Sequence, residues 1–194
     1  LNKYDGTSFT VYKHSDTDPH SLPANDVISL HEDGSGNLWI GTNGGSAVIY
    51  DRKKDEFKSI QSFKGFHNPS NVVRAIYSDY LGKVWLANFS GLCVIDPETE
   101  KVTNFTVDRD RKDQLTTHNV ICLFEDSKRR MWVGSDDGVF LYNRKKNTFV
   151  HYQHSAAQPG SLVGNSVRGI VEDSDGTIWI GTEQGLRMLL PDGK

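Results

Sequence analysis

The chain has 194 residues, with 22 Lys and Arg against 25 Asp and Glu, and a formal net charge of −3. That balance excludes a clustered basic footprint for nucleic acid, while the length allows a sizeable core. The sequence shows neither an apolar run of membrane-spanning length nor a targeting segment, so membrane contact is expected only through flanking segments.

Four tryptophans, Trp39, Trp85, Trp132 and Trp179, stand 46, 47 and 47 residues apart and mark one unit written four times. In chain order, residues 1–26 read as the last two strands of a preceding unit, because Leu1-Asn2-Lys3-Tyr4-Asp5 matches the register of Leu186-Arg187-Met188-Leu189-Leu190. Whole units are expected at 27–70, 73–117 and 120–164, and an incomplete one at 167–194. Each opens on a valine, Val27, Val73, Val120 or Val167, which starts a short strand A of branched apolar residues. A turn follows at an aspartate, Asp33, Asp79, Asp126 or Asp173, with glycine for the positive φ in every copy except the third, where Arg129 stands. Strand B carries the Trp, and a link ending at Gly45, Gly91, Gly138 or Gly185 leads to strand C. A polar turn such as Arg52-Lys53-Lys54 or Arg144-Lys145-Lys146, expected to be solvated, precedes strand D.

No segment follows a helical period, and turn signals recur at hairpin spacing. The expected fold is all-β, a β-propeller fragment of about four blades with four antiparallel strands each. Small residues at Ser29, Ala75, Cys122 and Gly169 fit an innermost strand crowded at the propeller axis, and the tryptophans are expected to wedge between blades. An arc of blades leaves sheet faces and an edge unpaired. The expected partners are therefore the remaining blades of a longer chain and a second copy, giving a homo-oligomer.

Asn165-Ser166-Val167-Arg168-Gly169-Ile170, then Glu172 to Thr182 with its Asp, Gly, Trp and Gly-Thr, then Gly185-Leu186, resembles the two-component regulator propeller repeat. The pattern returns in all four copies, with departures at Arg129, at Ala87-Asn88 in place of Gly-Thr, and at Ser46 after Gly45. The resemblance implies the extracytoplasmic, periplasmic sensor region of a hybrid two-component histidine kinase of the glycan-sensing gut bacterial type. An oligosaccharide is the implied ligand, and the kinase modules lie elsewhere in such proteins.

Residues recurring in every copy are explained by the blade, so a ligand site is sought where copies differ. Propellers bind ligands on the face made by the D-to-A and B-to-C connections. There the sequence offers Arg74, Phe89, His118, Asp136, Asp137, Arg168, Glu183 and Gln184, an aromatic face with planar hydrogen-bonding groups suited to a sugar. The competing reading makes them ordinary solvated loop residues. Asn25, Asn71 and Asn165 are expected to hold backbone at the strand entry instead. No catalytic residue, metal site or cofactor is predicted. The seven histidines lack ligand spacing, and Asp173-Ser174-Asp175-Gly176 lacks the closing Glu of a calcium loop. Alternatives are a structural or protein-binding propeller, and a propeller lyase or glycosidase, for which Asp137 and Glu183 are the candidate carboxylates.

Overall fold

The repeat's turn chemistry bounds every sheet in the computed structural model, which describes residues 1–67, 70–105 and 107–189. Residues 68, 69, 106 and 190–194, which belong to the units expected at 27–70, 73–117 and 167–194, lie outside the described residues. An opening hairpin pairs β1 (Asn2–Tyr4) with β2 (Phe9–Val11). Blade one consists of β3 (Val27–Glu32), β4 (Leu38–Thr42), β5 (Ala47–Asp51) and β6 (Glu56–Ser59), followed by a 3-10 turn at Ile60–Ser62. Blade two consists of β7 (Val73–Ser78), β8 (Val84–Asn88), β9 (Gly91–Asp96) and β10 (Lys101–Phe105). Blade three consists of β11 (Val120–Glu125), β12 (Met131–Ser135), β13 (Gly138–Asn143) and β14 (Thr148–Tyr152). Blade four, as described, has β15 (Val167–Glu172), β16 (Ile178–Thr182) and β17 (Gly185–Leu189). Each sheet is an antiparallel meander, so the chain is an all-β propeller fragment of about four blades.

The first strands β3, β7, β11 and β15 lie side by side, which makes them the innermost strands. The second strands of blades two and three, β8 and β12, are buried along their whole length, because both faces of those blades are covered. Each of the first three tryptophans packs into the blade that follows its own. Trp39 joins Val73, Ile76 and Leu86, Trp85 joins Val120, Met131 and Val133, and Trp132 joins Val167, Ile178 and Ile180. Trp179, in the last described blade, is only half-buried.

The aspartate six residues before each Trp explains why the two recur together. Its Oδ2 accepts the indole N–H, at 2.8 Å for Asp33 from Trp39, Asp79 from Trp85 and Asp126 from Trp132, and at 2.6 Å for Asp173 from Trp179. Its Oδ1 accepts two backbone N–H groups of the turn, as from Ser35 and Asn37 onto Asp33. One carboxylate thus closes the hairpin and fixes the ring. Arg129 keeps the turn in the third copy by taking φ 61° itself, with its N–H donated to the Asp126 carbonyl at 2.8 Å.

Asp33 and Asp173 are both held below the ordinary carboxylate range. Burial opposes the charge on Asp33, but the Trp39 indole and the turn donors together outweigh it, and the Trp179 indole is the largest influence on Asp173. Carboxyls depressed in the folded state stabilise it above the unfolded value of about 3.9, and that contribution is lost as pH falls below it. The urea midpoint is therefore expected to be level above roughly pH 5 and to decline from about pH 4 downward. The Asp33→Asn, Asp173→Asn double variant, which keeps an acceptor oxygen without a titrating group, should show a shallower acid limb in the same titration.

The small residues of the inner strands meet a second constraint from the neighbouring blade. Ser29 pairs with Gly41, Ala75 with Ala87, Cys122 with Gly134 and Gly169 with Gly181. A Cβ on Gly41 would stand 2.2 Å from Ser29 Oγ and 2.8 Å from the Val73 carbonyl of blade two. Backbone cannot yield there as a flexible side chain would. Gly41→Ala is expected to cost about 1–3 kcal/mol, read as a lower urea midpoint, the usual penalty for overpacking. Both cysteines are free, and burial pushes the Cys93 and Cys122 thiols up to about 12.

One expected solvated turn is a correction. Arg144 of Arg144-Lys145-Lys146 reaches back across a blade junction, to Asp79 Oδ2 of blade two at 2.8 Å and to Glu125 Oε1 of its own blade at 2.6 Å. Its guanidinium also lies 5.0 Å from the Tyr80 ring centroid. The C-to-D turn of one blade lies against the A-to-B turn of the blade before it, a proximity that sequence spacing does not show. Arg52, in the matching turn of blade one, forms an exposed pair with Glu32 at 2.6 Å.

Candidate functional site

The connections between strands build one edge of the fragment. Backbone bonds tie the B-to-C links of blades one, three and four to adjoining D-to-A links: Asn43 N–H reaches the Asp26 carbonyl at 2.8 Å, Gly44 the Asn71 carbonyl at 2.9 Å, Gly138 the Asn165 carbonyl at 2.7 Å and Glu183 the Ser166 carbonyl at 3.0 Å. A hydroxyl braces the link in three copies, Thr42 to the Ser46 carbonyl, Ser135 to Gly138 and Thr182 to Gly185, each at 2.9 Å. This is the role of the Thr in Gly-Thr. In blade two Asn88 replaces it, and its Oδ1 accepts the Ser90 N–H at 2.7 Å, so the departure preserves the brace by another route.

The D-to-A connections are ordered rather than loose. His14 and His154 each donate backbone N–H to the side-chain oxygen of Asn25 or Asn165, at 2.8 and 2.7 Å, and their Nδ1 atoms meet the Leu22 and Leu162 carbonyls at 2.7 and 2.6 Å. Asn25 and Asn165 thus hold backbone as expected, whereas Asn71 contributes its carbonyl, which accepts from Gly44 and Ser46 at 2.9 Å. His14 and His154, two of the seven histidines without ligand spacing, are thus structural parts of these connections. The signal was present in His-Ser at 14 and 154, Pro19 and Pro159, and Ser-Leu at 21 and 161, all offset by 140 residues.

At the mouth of the inner strands, the register of each first strand slips between the valine and the small residue. The four bulged residues are Ile28, Arg74, Ile121 and Arg168. A bulge leaves one residue without a ladder partner and re-aims its side chain. Arg74 lies on Phe89 from the B-to-C link of the same blade, its guanidinium carbon 3.9 Å from the ring centroid. Arg168 pairs with Glu183 from the B-to-C link of blade four, both exposed. Burial, then the charge of Arg168, pushes the Arg74 guanidinium below its ordinary value, with Asp136 acting in the opposite sense. Five of the eight sequence candidates, Arg74, Phe89, Asp136, Arg168 and Glu183, therefore share contacts or a common field.

The other three make their contacts elsewhere on the rim. Asp137 accepts from Thr116 Oγ1 at 2.5 Å and from Gln153 Nε2 at 2.7 Å, toward the outer side of blade three. Asp136 accepts from Thr117 Oγ1 at 2.7 Å and Asn119 Nδ2 at 3.0 Å. Both aspartates line an open cleft of about 970 Å³ with Arg109, Lys112 and His151. His151, which the sequence reading did not select, stacks on Phe140 at 4.0 Å between centroids and donates Nε2–H to the Asp137 carbonyl at 2.5 Å. Gln184 lies beside Gly164, where an added Cβ would come within 3.0 Å of it. His118 is exposed on the D-to-A link. Among the described residues no group of three or more His, Cys, Asp or Glu is placed to hold a metal ion.

Comparison with known proteins bears on this arrangement. The two component regulator propeller family model matches residues 21–44, 114–137 and 161–184, each running from a D-to-A link through strands A and B to the B-to-C link. No curated protein sequence matches the chain. Among solved structures, the extracellular domain of the hybrid two component system BT4673 from B. thetaiotaomicron superposes with a TM-score of 0.77 at 21% identity, over 93% of this chain and 23% of that one. The corresponding domain of BT3049 from the same organism gives 0.61 at 21%, over 93% and 29%. Virginiamycin B lyase from Staphylococcus aureus gives 0.66 at 15%, over 90% and 56%. The chain spans less than a third of either sensor domain, 23% and 29% of their lengths, and at these identities the likeness is one of fold. Three segments of the chain, in blades one, three and four, thus match the two component regulator propeller model, and the solved structures share the fold.

Proposed function

We propose that the chain is a ligand-sensing propeller segment from the periplasmic receptor region of a hybrid two-component histidine kinase, and that it responds to an oligosaccharide. The observation that carries this reading is the Arg74–Phe89 stack, with Arg168 in its field, at bulged positions that the blade itself does not use. Sensor domains of hybrid two-component systems share the fold and support the assignment. Further blades of the same receptor are proposed to cover the apolar sheet faces at the two ends, which expose Tyr4, Phe9 and Val11 on the opening hairpin and Leu186 and Met188 on β17. Self-association of the chain belongs to the same proposal.

The proposed site is the bulge-and-link rim of Arg74, Phe89, His118, Asp136, Asp137, Arg168, Glu183 and Gln184. Asp137 and Glu183 are engaged by neutral donors and by an arginine respectively, an arrangement suited to holding hydroxyls rather than to acid and base chemistry. Calorimetric titration of the chain with a panel of plant and host oligosaccharides is the test. Saturable binding of a panel member, weakened about tenfold or more when Arg74→Ala and Phe89→Ala are combined, is the expected outcome. Binding unchanged in that variant removes the rim from the reading. A chain that binds no saccharide is a structural or protein-binding propeller instead.

A further inference from the structure

Arg74 differs from the other charged groups of the rim. It is half-buried at the bulge of β7, yet no carboxylate among the described residues forms an ion pair with it. The carboxylates of the rim are occupied elsewhere: Asp136 by Thr117 and Asn119, Asp137 by Thr116 and Gln153, and Glu183 by Arg168. Burial and the like charge of Arg168 both disfavour the Arg74 cation, and a bound anion would relieve both.

The partner of Arg74 within the chain is an aromatic ring. The guanidinium occupies one face of Phe89 at 3.9 Å, so that face is closed to a neutral sugar. What the stack offers in its place is a planar fork of N–H donors, the geometry that receives carboxylate or sulfate oxygens bidentately.

We infer that the ligand of this rim is an anionic saccharide, its carboxylate or sulfate received by Arg74 on the Phe89 ring, with Arg168 as the second cation. The inference rests on the saccharide-sensing reading above. Glu183 has a definite part in it. Its pair with Arg168 is exposed and contributes little, and an anion approaching Arg168 must displace or share that carboxylate. Glu183 therefore works against an anionic ligand, whereas it would aid a neutral one by accepting hydroxyl protons.

Titration of the full chain with matched charged and neutral probes tests this: trigalacturonate against its methyl ester, and a sulfated galactan tetrasaccharide against its desulfated form. One charged member is expected to bind at least about tenfold more tightly than its neutral counterpart, the weight of one charge-assisted hydrogen bond. Arg74→Gln should abolish the preference, Arg74→Lys should keep part of it, and Glu183→Gln should tighten binding of the charged member. Preference within the first pair identifies a uronate, and within the second a sulfate ester. Equal binding of charged and neutral members overturns the inference and leaves the saccharide reading intact, as does weaker binding of the charged member by Glu183→Gln. Binding of a neutral glycan from the wider panel with none of the charged probes has the same meaning. Failure of every saccharide overturns both readings. The circular dichroism spectrum of each variant, compared with the parent chain, shows that its blades are formed.

Discussion

Replacing Trp85 by alanine is expected to lower the unfolding free energy by about 3–5 kcal/mol, the range for emptying a buried aromatic site. The ring is 1% exposed and bridges two blades. It stacks on Phe105 of its own blade at 5.7 Å and meets the edge of Tyr142 of blade three at 5.2 Å. Its loss also takes the indole N–H away from Asp79, which is itself 5% exposed and left with one fewer donor. The measurement is the shift of the urea midpoint at constant slope. Trp179→Ala should show a smaller loss, because the free energy follows the area removed from water and Trp179 is only half-buried. A Trp85→Ala loss below about 1 kcal/mol, the range of surface changes, would contradict the junction role.

Arg144→Met is the second large effect, expected at about 3 kcal/mol or more. The Asp79 side chain is fully buried and the Glu125 side chain is 8% exposed, so removing the cation that pairs with both leaves two carboxylates in a poorly solvated junction. The Trp85 indole and the turn N–H groups of Leu81 and Lys83 still hold Asp79, which keeps the estimate at the lower end of the range for broken buried pairs. Arg52→Met supplies the contrast within the same protein. Its pair with Glu32 is about half exposed on both sides, 51% and 58%, and the expected loss is within about 1 kcal/mol. Urea midpoints of the two variants measured side by side decide the matter. Equal losses would mean that Arg144 does not bridge the blades.

The blade was legible because its demands are local and repeated. Valine, small residue, aspartate, tryptophan and glycine recur at fixed offsets, and each satisfies a constraint that every copy meets: the tight inner pair at Ser29 and Gly41, the hairpin closed by Asp33, the ring passed to the next blade. What spacing could not reveal lay between copies. Arg144 reads as one more basic turn residue until its turn is set against Asp79, 65 residues earlier. Glu125 and Glu172, each standing before the turn aspartate, accept the N–H of Tyr80 and Ser127 in the preceding blade, at 2.7 and 2.6 Å, and stitch neighbouring turns together. The proposed site was chosen where copies disagree. Its division was not legible: adjacent residues Asp136 and Asp137 look equivalent in sequence, but the first engages Thr117 and Asn119 and the second Thr116 and Gln153. The covering of Phe89 by Arg74 also depends on a bulge that composition does not announce.

The bulge at the head of each inner strand separates two kinds of inheritance within one repeat. Residues that pair across the ladder are answerable to both neighbours, so copies drift there only within a methyl group or two, from Ser29 to Ala75 to Cys122 to Gly169. The residue pushed out of register owes nothing to the sheet, and in the same four copies it ranges from isoleucine at 28 and 121 to arginine at 74 and 168. Each repeat of the blade thereby brings one side chain near the axis that no ladder partner constrains. Under the proposed function, new ligand preferences would arise by single substitutions at these positions, with the ladder pairs of the blade kept.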